Sequence, residues 1–247
     1  MLITVTMPSL NAAKHISVAI NSVLNQSFQD WELLIIDGGS TDDTFKIIKE
    51  VSDDRVKLLI CEKPGIYAAI NYGNEKAEGE FVINLNTDDC FSDNDVLNKY
   101  VGSLDGATDV YYSNINYVRG CGKNFLHRSG NFSVQKVLLG WLPPHPSYLI
   151  RRDILIRNKF DERYRIAGDY EWFLRMSCYG QVRFRYLDFT SVNFKIGGIS
   201  TDLLTQFRSY REDQLALTKH FNTLGVFITI FKKMRKLRRK LWEFMNV

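Results

Sequence analysis

Four cysteines in 247 residues, with no Cys-x-x-Cys pair among them, are too few and too far apart for a disulfide framework or a zinc site. Cys61, Cys90, Cys121 and Cys178 therefore read as reduced structural thiols. No run of about 18 apolar residues occurs, so no membrane-spanning helix is expected. Met1-Leu-Ile-Thr-Val-Thr6 lacks the basic start and long apolar core of a signal peptide, which points to a cytoplasmic chain. No Gly-x-Gly-x-x-Gly follows the first apolar segment, and a dinucleotide-dependent oxidoreductase loses its usual phosphate loop. Repeats and low-complexity linkers are missing too. What remains, 45% apolar and 24% charged, has the composition of an ordinary globular domain.

The net charge of +4 is not spread evenly. Seven basic residues and one acidic residue lie between Lys232 and Glu243, a local +6 that leaves about −2 for everything else. In the same tail Ile230, Met234, Leu237, Leu241 and Phe244 recur at helical spacing among the Lys and Arg. This is the pattern of a helix lying on anionic lipid, with a nucleic-acid patch or a helix packed on its own domain as the other readings.

Taken in order, the chain alternates. Leu2–Thr6 reads as a strand that Pro8-Ser-Leu-Asn11 breaks, and Ala12–Asn25 has helical spacing. Trp31–Ile36 is apolar throughout, as a strand covered on both faces would be. A helix through Ile47, Ile48 and Val51 follows, then a strand at Val56–Ile60, a helix at Ile66–Ala77, a strand at Glu80–Leu85 and a helix at Asp95–Leu104. Four strand–helix alternations predict an α/β fold with a single, doubly wound, mainly parallel sheet. Asp109–Ser113 and Ile115–Val118 read as strands of a small mixed extension, and Gln181–Val192 alternates as strands. A helix is expected to begin near Gly168–Asp169. Lys195–Ser200 reads as a flexible loop, with helices over Leu203–Phe221 and from Val226 onward. One domain over 1–220, divided into halves at 1–105 and 106–220, plus a basic helix over 221–247, accounts for the pattern.

In parallel sheets ligands bind beyond the carboxyl ends of the strands. Three polar clusters fall there: Pro8–Asn11, Asp37–Thr44 and Asn86–Asp89. Adjacent carboxylates such as Asp88–Asp89 repel each other at the end of a buried strand. They are tolerated when a hard cation sits between them, and otherwise such residues simply make turns and helix caps.

Val5-Thr-Met-Pro-Ser-Leu-Asn11, Ile20–Phe28, Trp31-Glu-Leu-Leu-Ile-Ile-Asp-Gly-Gly-Ser-Thr-Asp-Asp-Thr44, Glu62-Lys-Pro-Gly-Ile-Tyr67 and Gly79–Asp89 occur in an order and spacing that resembles the family 2 glycosyltransferases. Pro144-His-Pro-Ser147 and Ala167-Gly-Asp-Tyr-Glu-Trp-Phe-Leu-Arg175 resemble that family's acceptor-side half. The resemblance implies the GT-A fold and a nucleotide-sugar donor, most naturally UDP-linked. It places Asp37 on the nucleotide base, with Pro8, Asn11, Ser40 and Asp42 around it, and Lys63 and Asn86 among the donor contacts. Asp88 and Asp89 would hold Mn²⁺ or Mg²⁺, with Asp88 also touching the donor. Asp169 would be the catalytic base, or the cap of its helix, or both. Glu171 is read as a helix-surface residue. His145 and Arg152 (or Arg151) are candidate contacts to acceptor or phosphate, and Lys195 a lid contact to the diphosphate.

Two departures stand out. Asn86 replaces a commoner Asp, and Ala68 stands where Asp is frequent. With these roles the resemblance implies an inverting, metal-dependent transfer of one sugar onto a lipid-linked oligosaccharide in bacterial surface-polysaccharide assembly. The chain would sit peripherally at the inner membrane face, with no nucleic-acid partner. The rival is a non-catalytic nucleotide-sugar-binding or scaffold protein of such an assembly.

Overall fold

The computed structural model describes residues 1–118, 124–179, 181–195, 207–222 and 225–229. Its strands are β1 (Ile3–Ser9), β2 (Trp31–Asp37), β3 (Val56–Ile60), β4 (Phe81–Asn84), β5 (Cys90–Phe91), β6 (Val110–Val118), β7 (Phe125–His127), β8 (Tyr148–Arg151) and β9 (Phe184–Lys195). The helices are α1 (Ile16–Leu24), α2 (Thr44–Lys49), α3 (Ile66–Lys76), α4 (Val96–Val101), α5 (Val134–Leu138), α6 (Arg152–Arg157), α7 (Gly168–Tyr179) and α8 (207–222).

All nine strands join one sheet in the order β3-β2-β1-β4-β8-β6-β9-β5, with β7 paired on β6. β3, β2, β1 and β4 are parallel. β8 runs against β4 and β6 runs against β8, so β6 again points the way of β4, and β9 is parallel to β6. The carboxyl ends of β1, β2, β3, β4, β6 and β9 therefore share one edge. That edge is where the polar clusters gather.

β2 is apolar throughout because both its faces are covered. Leu33 and Ile35 pack with Ile3, Val5 and Met7 under α1 and α4, while Leu34 and Ile36 pack with Val82, Ile70 and Ile150 under α3 and α7. Each such side chain, taken fully out of water, stabilises the fold by roughly 1.5–3 kcal/mol. On the α3 side β1 is polar instead. Asn84 Nδ2 donates to both Thr6 Oγ1 and Asn74 Oδ1, so the central strands are tied by side chains as well as by the ladder.

The structure corrects several boundaries. β1 continues through Pro8 to Ser9. Thr6 C=O accepts Leu85 N–H on the β4 side, and Pro8, two residues on, turns its missing N–H to that side after the β4 ladder has ended. The expected pair of strands at 109–118 is one strand. Its alternation is broken by register shifts around Asn114, where buried Ser113 and Asn114 bond Ser191 and Asp188. Likewise 184–195 is one long strand. α1 begins at Ile16, since residues 12–15 form a turn. Residues 207–222 and 225–229 are helical, against the expected helices over 203–221 and from 226 onward. The expected loop at 196–200 and the basic segment from 230 onward lie outside the described residues. Among the described residues no helix is long and apolar enough to cross a membrane.

Glu32 shows how the sheet tolerates a charge at its centre. Fully buried, it accepts Thr4 Oγ1 (2.7 Å), Glu78 N (2.8 Å) and Lys57 Nζ (3.0 Å). Burial pushes its pKa up, but the Glu78 amide, the Thr4 hydroxyl and Lys57 together hold it below the usual carboxylate value. Glu32→Leu strands a buried hydroxyl and amide, and should lower unfolding free energy by about 1–3 kcal/mol in urea titrations at pH 7. Because the folded-state value is depressed, the wild-type advantage should shrink as pH falls below about 4.5, the carboxyl's ordinary value. An advantage that does not change with pH would contradict this account.

Candidate active site

At the end of β2 the Asp37 carboxylate is 1% exposed. Its Oδ1 accepts the N–H groups of Gly39 (2.9 Å) and Ser40 (2.7 Å), and its Oδ2 accepts Ser40 Oγ (2.6 Å). Ser40 Oγ in turn accepts Asn11 N–H (2.9 Å), and Asn11 Oδ1 accepts Thr41 N–H (2.9 Å). Asn11 has φ of 49°, a left-handed conformation that Asn tolerates better than most residues. Asp42 accepts Ala13 N–H (3.1 Å) and bonds the Thr44 hydroxyl. Thus Pro8, Asn11, Asp37, Ser40 and Asp42 are brought together. The three polar pairs sew the loop after β1 to the loop after β2.

Beyond β4 the chain turns so that Asp89, 1% exposed, lies under Asn86 and Lys195. Asn86 Nδ2 donates to Asp89 Oδ2 (3.0 Å), and Lys195 N–H at the end of β9 donates to Asp89 Oδ1 (3.1 Å). Burial first, and the neighbouring Asp88 second, push the Asp89 carboxyl up to about 7. Asn86, the departure noted in the sequence, is the donor that orients Asp89. The Lys195 ammonium approaches His15, which precedes α1 (3.1 Å to Nδ1), so the end of β9 spans from the turn after β4 to the loop after β1.

Two adjacent carboxylates, one of them desolvated, suit a hard divalent cation such as Mn²⁺ or Mg²⁺, which accepts one or two protein carboxylates and completes its shell with phosphate oxygens and water. Among the described residues no group of three His, Cys, Asp or Glu side chains converges as a self-sufficient metal cage. Asp88 and Asp89 are the side chains here that would hold such a cation.

Asp169 sits in the first turn of α7. Its Oδ1 accepts Tyr170 N–H (2.8 Å), and its carboxyl is pushed up to about 6, chiefly by burial and then by Asp213 against the Tyr170 bond. Sequence reasoning passed over Tyr67, which holds this segment. Tyr67 follows Gly65, whose φ of 112° lets the chain turn from the β3 end into α3. Its hydroxyl donates to Ile166 C=O (2.7 Å) and accepts the N–H groups of Gly168 (2.9 Å) and Asp169 (3.2 Å). A Cβ on Gly168 would lie 2.6 Å from the Tyr67 ring, so only glycine allows that approach. Through Tyr67, Asp169 is anchored at the same sheet edge as Asp37 and Asp89.

Two expectations fail, those for the Arg pair and for Glu171. Arg151 and Arg152 sit at the opposite edge, because β8 runs against β4: Arg151 pairs with Phe81 and Arg152 N–H donates to Glu80 C=O. Neither can reach a donor on the carboxyl side. His145 is wedged against the Tyr148 and Phe160 rings (centroids 5.4 Å from each), and burial lowers its pKa to about 4. The neutral ring supplies no charge to a phosphate. Glu171 is fully buried, not on the helix surface, and bonds Lys219 (2.8 Å), His220 (2.9 Å) and Arg175 (3.2 Å). Lys63 is exposed, with Glu162 at 3.8 Å.

Residues 4–187 match the family model for Glycosyl transferase family 2. Over 90 residues the chain is 44% identical to the Escherichia coli UDP-Glc:alpha-D-GlcNAc-diphosphoundecaprenol beta-1,3-glucosyltransferase WfgD, a match covering 36% of this chain and 35% of that protein. An uncharacterized glycosyltransferase of Haemophilus influenzae is 45% identical over 42% of both chains, so each of these two matches spans less than half of the relative. The fold superposes on Staphylococcus aureus TarS 1-349 in complex with UDP-GlcNAc with a TM-score of 0.73 at 22% identity, covering 90% of this chain and 67% of that one. It also superposes on the Pyrobaculum calidifontis mannosyltransferase PcManGT in complex with GDP-Man and Mn2+ (TM-score 0.65, 18% identity, 88% of this chain and 63% of that one).

The buried Asp89 carries a measurable cost. A carboxyl raised from 3.8 to about 7 on folding favours the folded state fully only below its unfolded value, and that advantage disappears as pH climbs toward 7. Asp89→Asn should therefore raise the melting temperature of the metal-free chain at pH 8, by an amount equivalent to about 3 kcal/mol, and change little at pH 4. Thermal melts of both chains at the two pH values check this. Equal differences at pH 4 and pH 8 would refute it.

Proposed function

The chain belongs to glycosyl transferase family 2, and on that premise we propose that it transfers one sugar, with inversion, from a UDP-linked donor to a lipid-linked oligosaccharide. The observation that carries the proposal is the pairing of two desolvated carboxylates on one sheet edge. Asp89 lies directly beside Asp88, and Asp169 starts a helix with Asp213 near it and a carboxyl raised to about 6, chiefly by burial. A leaving diphosphate needs the first arrangement, and an acceptor hydroxyl needs the second.

In this scheme the clipped loops after β1 and β2 form the floor for the base, with Asp37 spending its remaining acceptor capacity on the nucleotide and Pro8, Asn11 and Ser40 shaping the walls. Lys63 exchanges its loose pair with Glu162 for a donor phosphate. A divalent cation held by Asp88 and Asp89 would neutralise charge on the diphosphate. Asn86 and the Lys195 amide keep Asp89 aimed at that position. Asp169 takes the proton of the acceptor hydroxyl while its oxygen bonds to the anomeric carbon. The bond from that carbon to the diphosphate breaks on the opposite face, so an α-linked donor yields a β-linked product and free nucleoside diphosphate. A pKa near 6 keeps most of the base ionised at neutral pH without making it too weak to accept the proton.

The UDP-sugar and the diphosphoundecaprenol in the name of the Escherichia coli relative support the choice of donor and acceptor. The alternation of apolar and basic residues over 230–245, read from sequence, supports peripheral attachment to an anionic membrane.

Asp169→Asn should cut transfer from UDP-glucose or UDP-N-acetylglucosamine to undecaprenyl-diphosphate acceptors by about 10²–10⁴-fold. In the unmutated chain kcat should rise with pH through about 6 and then level off. Full activity of the variant would remove Asp169 from the role of base. Absence of transfer by the unmutated chain with every UDP-sugar would favour the scaffold reading. Separately, a chain ending at Thr229 should lose sedimentation with vesicles containing anionic phospholipid, at about 1 kcal/mol per basic residue removed, while still binding UDP.

A further inference from the structure

The five consecutive backbone amides that lead into Asp169 are held by two side chains distant in sequence. Tyr67 accepts those of Gly168 and Asp169, as described above. The three before them go to Glu212 on α8: its carboxylate accepts the N–H groups of Arg165 (3.1 Å), Ile166 (2.8 Å) and Ala167 (2.8 Å). Glu212 is 8% exposed. A carboxylate so desolvated is stable only where several donors converge on it, and three successive N–H groups make that kind of concavity. The first turn of a helix also leaves amides without intrahelical partners, and here the carboxylate lies just ahead of that turn, next to the positive end of α7.

α8 is fixed to α7 at a second place. Fully buried Glu171 bonds both Lys219 and His220. Glu212 and this pair are about two helical turns apart along α8. The helix therefore lies along α7 and cannot be displaced from one contact without straining the other. α8 lies beyond residue 187, where the family match ends, so nothing in that match assigns it a role.

We propose that α8 is part of the catalytic apparatus, with Glu212 as the positioning residue that fixes the backbone carrying Asp169. The proposal rests on reading Asp169 as the base. Glu212 acts in two ways. By occupying the amides of residues 165–167 it fixes where α7 starts and hence the direction of the Asp169 side chain. By placing a negative charge at that helix start it opposes ionisation of Asp169, so the carboxylate stays basic enough to take a proton. The titratable groups that act on Asp169 are Tyr67 from α3, Tyr148 from β8 and Asp213 from α8, and Glu212 acts on Tyr67 beside them.

The test compares Glu212→Gln with the unmutated full chain. The Asp169 carboxyl carbon is followed by NMR as pH is varied, with Asp169→Asn supplying the assignment, and amide hydrogen exchange is read along 160–180. In Glu212→Gln the Asp169 titration midpoint should fall by about half a pH unit, because a neighbouring anion is gone. Exchange at 165–167 should quicken roughly tenfold while the amides of 172–176 stay protected. Thermal stabilisation by UDP with Mn²⁺ should be unchanged, and the rate of UDP release from UDP-glucose should drop at least tenfold with donor KM within twofold. An unchanged midpoint with unchanged exchange at 165–167 would overturn the proposal, as would loosening spread evenly over all of α7, which is what a merely structural contact produces. If Glu212→Gln does not fold, Tyr67→Phe carries the same exchange test at 168–169. If Asp169→Asn keeps full turnover, the reading of Asp169 as base falls, while the NMR and exchange results still decide whether Glu212 holds that segment.

Discussion

The burial of Asp89 is the constraint on which the carboxyl edge depends. A carboxylate at 1% exposure, with another directly before it in the chain, needs hydrogen-bond donors on each oxygen even before a cation is considered. Asn86 and the Lys195 amide are those donors, and each has a structural consequence. Asn86 forces the tight turn after β4. The Lys195 amide requires β9 to run its full length and end over the same turn. The end of this twelve-residue strand is thus tied to the first half of the chain by the Asp89 carboxylate as well as by its ladder with β5 and the approach of Lys195 to His15.

Asp169 answers to the opposite requirement. As the proposed base it would need few donors, so that its charge stays costly and its affinity for a proton high. The nearby amides of residues 165–168 go to Glu212 and Tyr67, while the Tyr170 amide and Tyr67 bond the Asp169 carboxyl without offsetting its burial. Two carboxylates on one edge therefore carry raised pKa values for related reasons, burial first in both cases, but with different supporting charges: Asp88 beside one, Asp213 near the other. Family membership and this division of surroundings together support a transferase whose leaving-group side and acceptor side are kept apart.

Much of this was legible in the residues. The unbroken apolar run of β2, the four alternations and the placement of polar clusters after strands define the sheet's parallel half, since burial on both faces and crossover helices leave a period-based signature. Asp37, Asp88, Asp89 and Asp169 were singled out from their motifs, and in the structure they lie at the same edge. The failures have physical causes. Arg151 and Arg152 look suitable for phosphate until the antiparallel direction of β8 carries them to the far edge. Glu171 looks like a surface residue of a polar helix until α8 covers it with Lys219 and His220, two elements later in the chain.

By itself the sequence determined the four parallel strands and the helices between them in the first hundred residues, though not the short β5, and which carboxylates follow those strands, because alternation and strand-end polarity are local properties. Strand direction in the second half, the roles of Tyr67, Asn86, Lys195 and Glu212, and the pKa values of Asp89 and Asp169 were decided only by the tertiary structure. Those depend on which donors and charges come within about 3 Å of a given oxygen. The residues concerned lie up to 106 positions apart, as Asp89 and Lys195 do, and no local pattern encodes that distance.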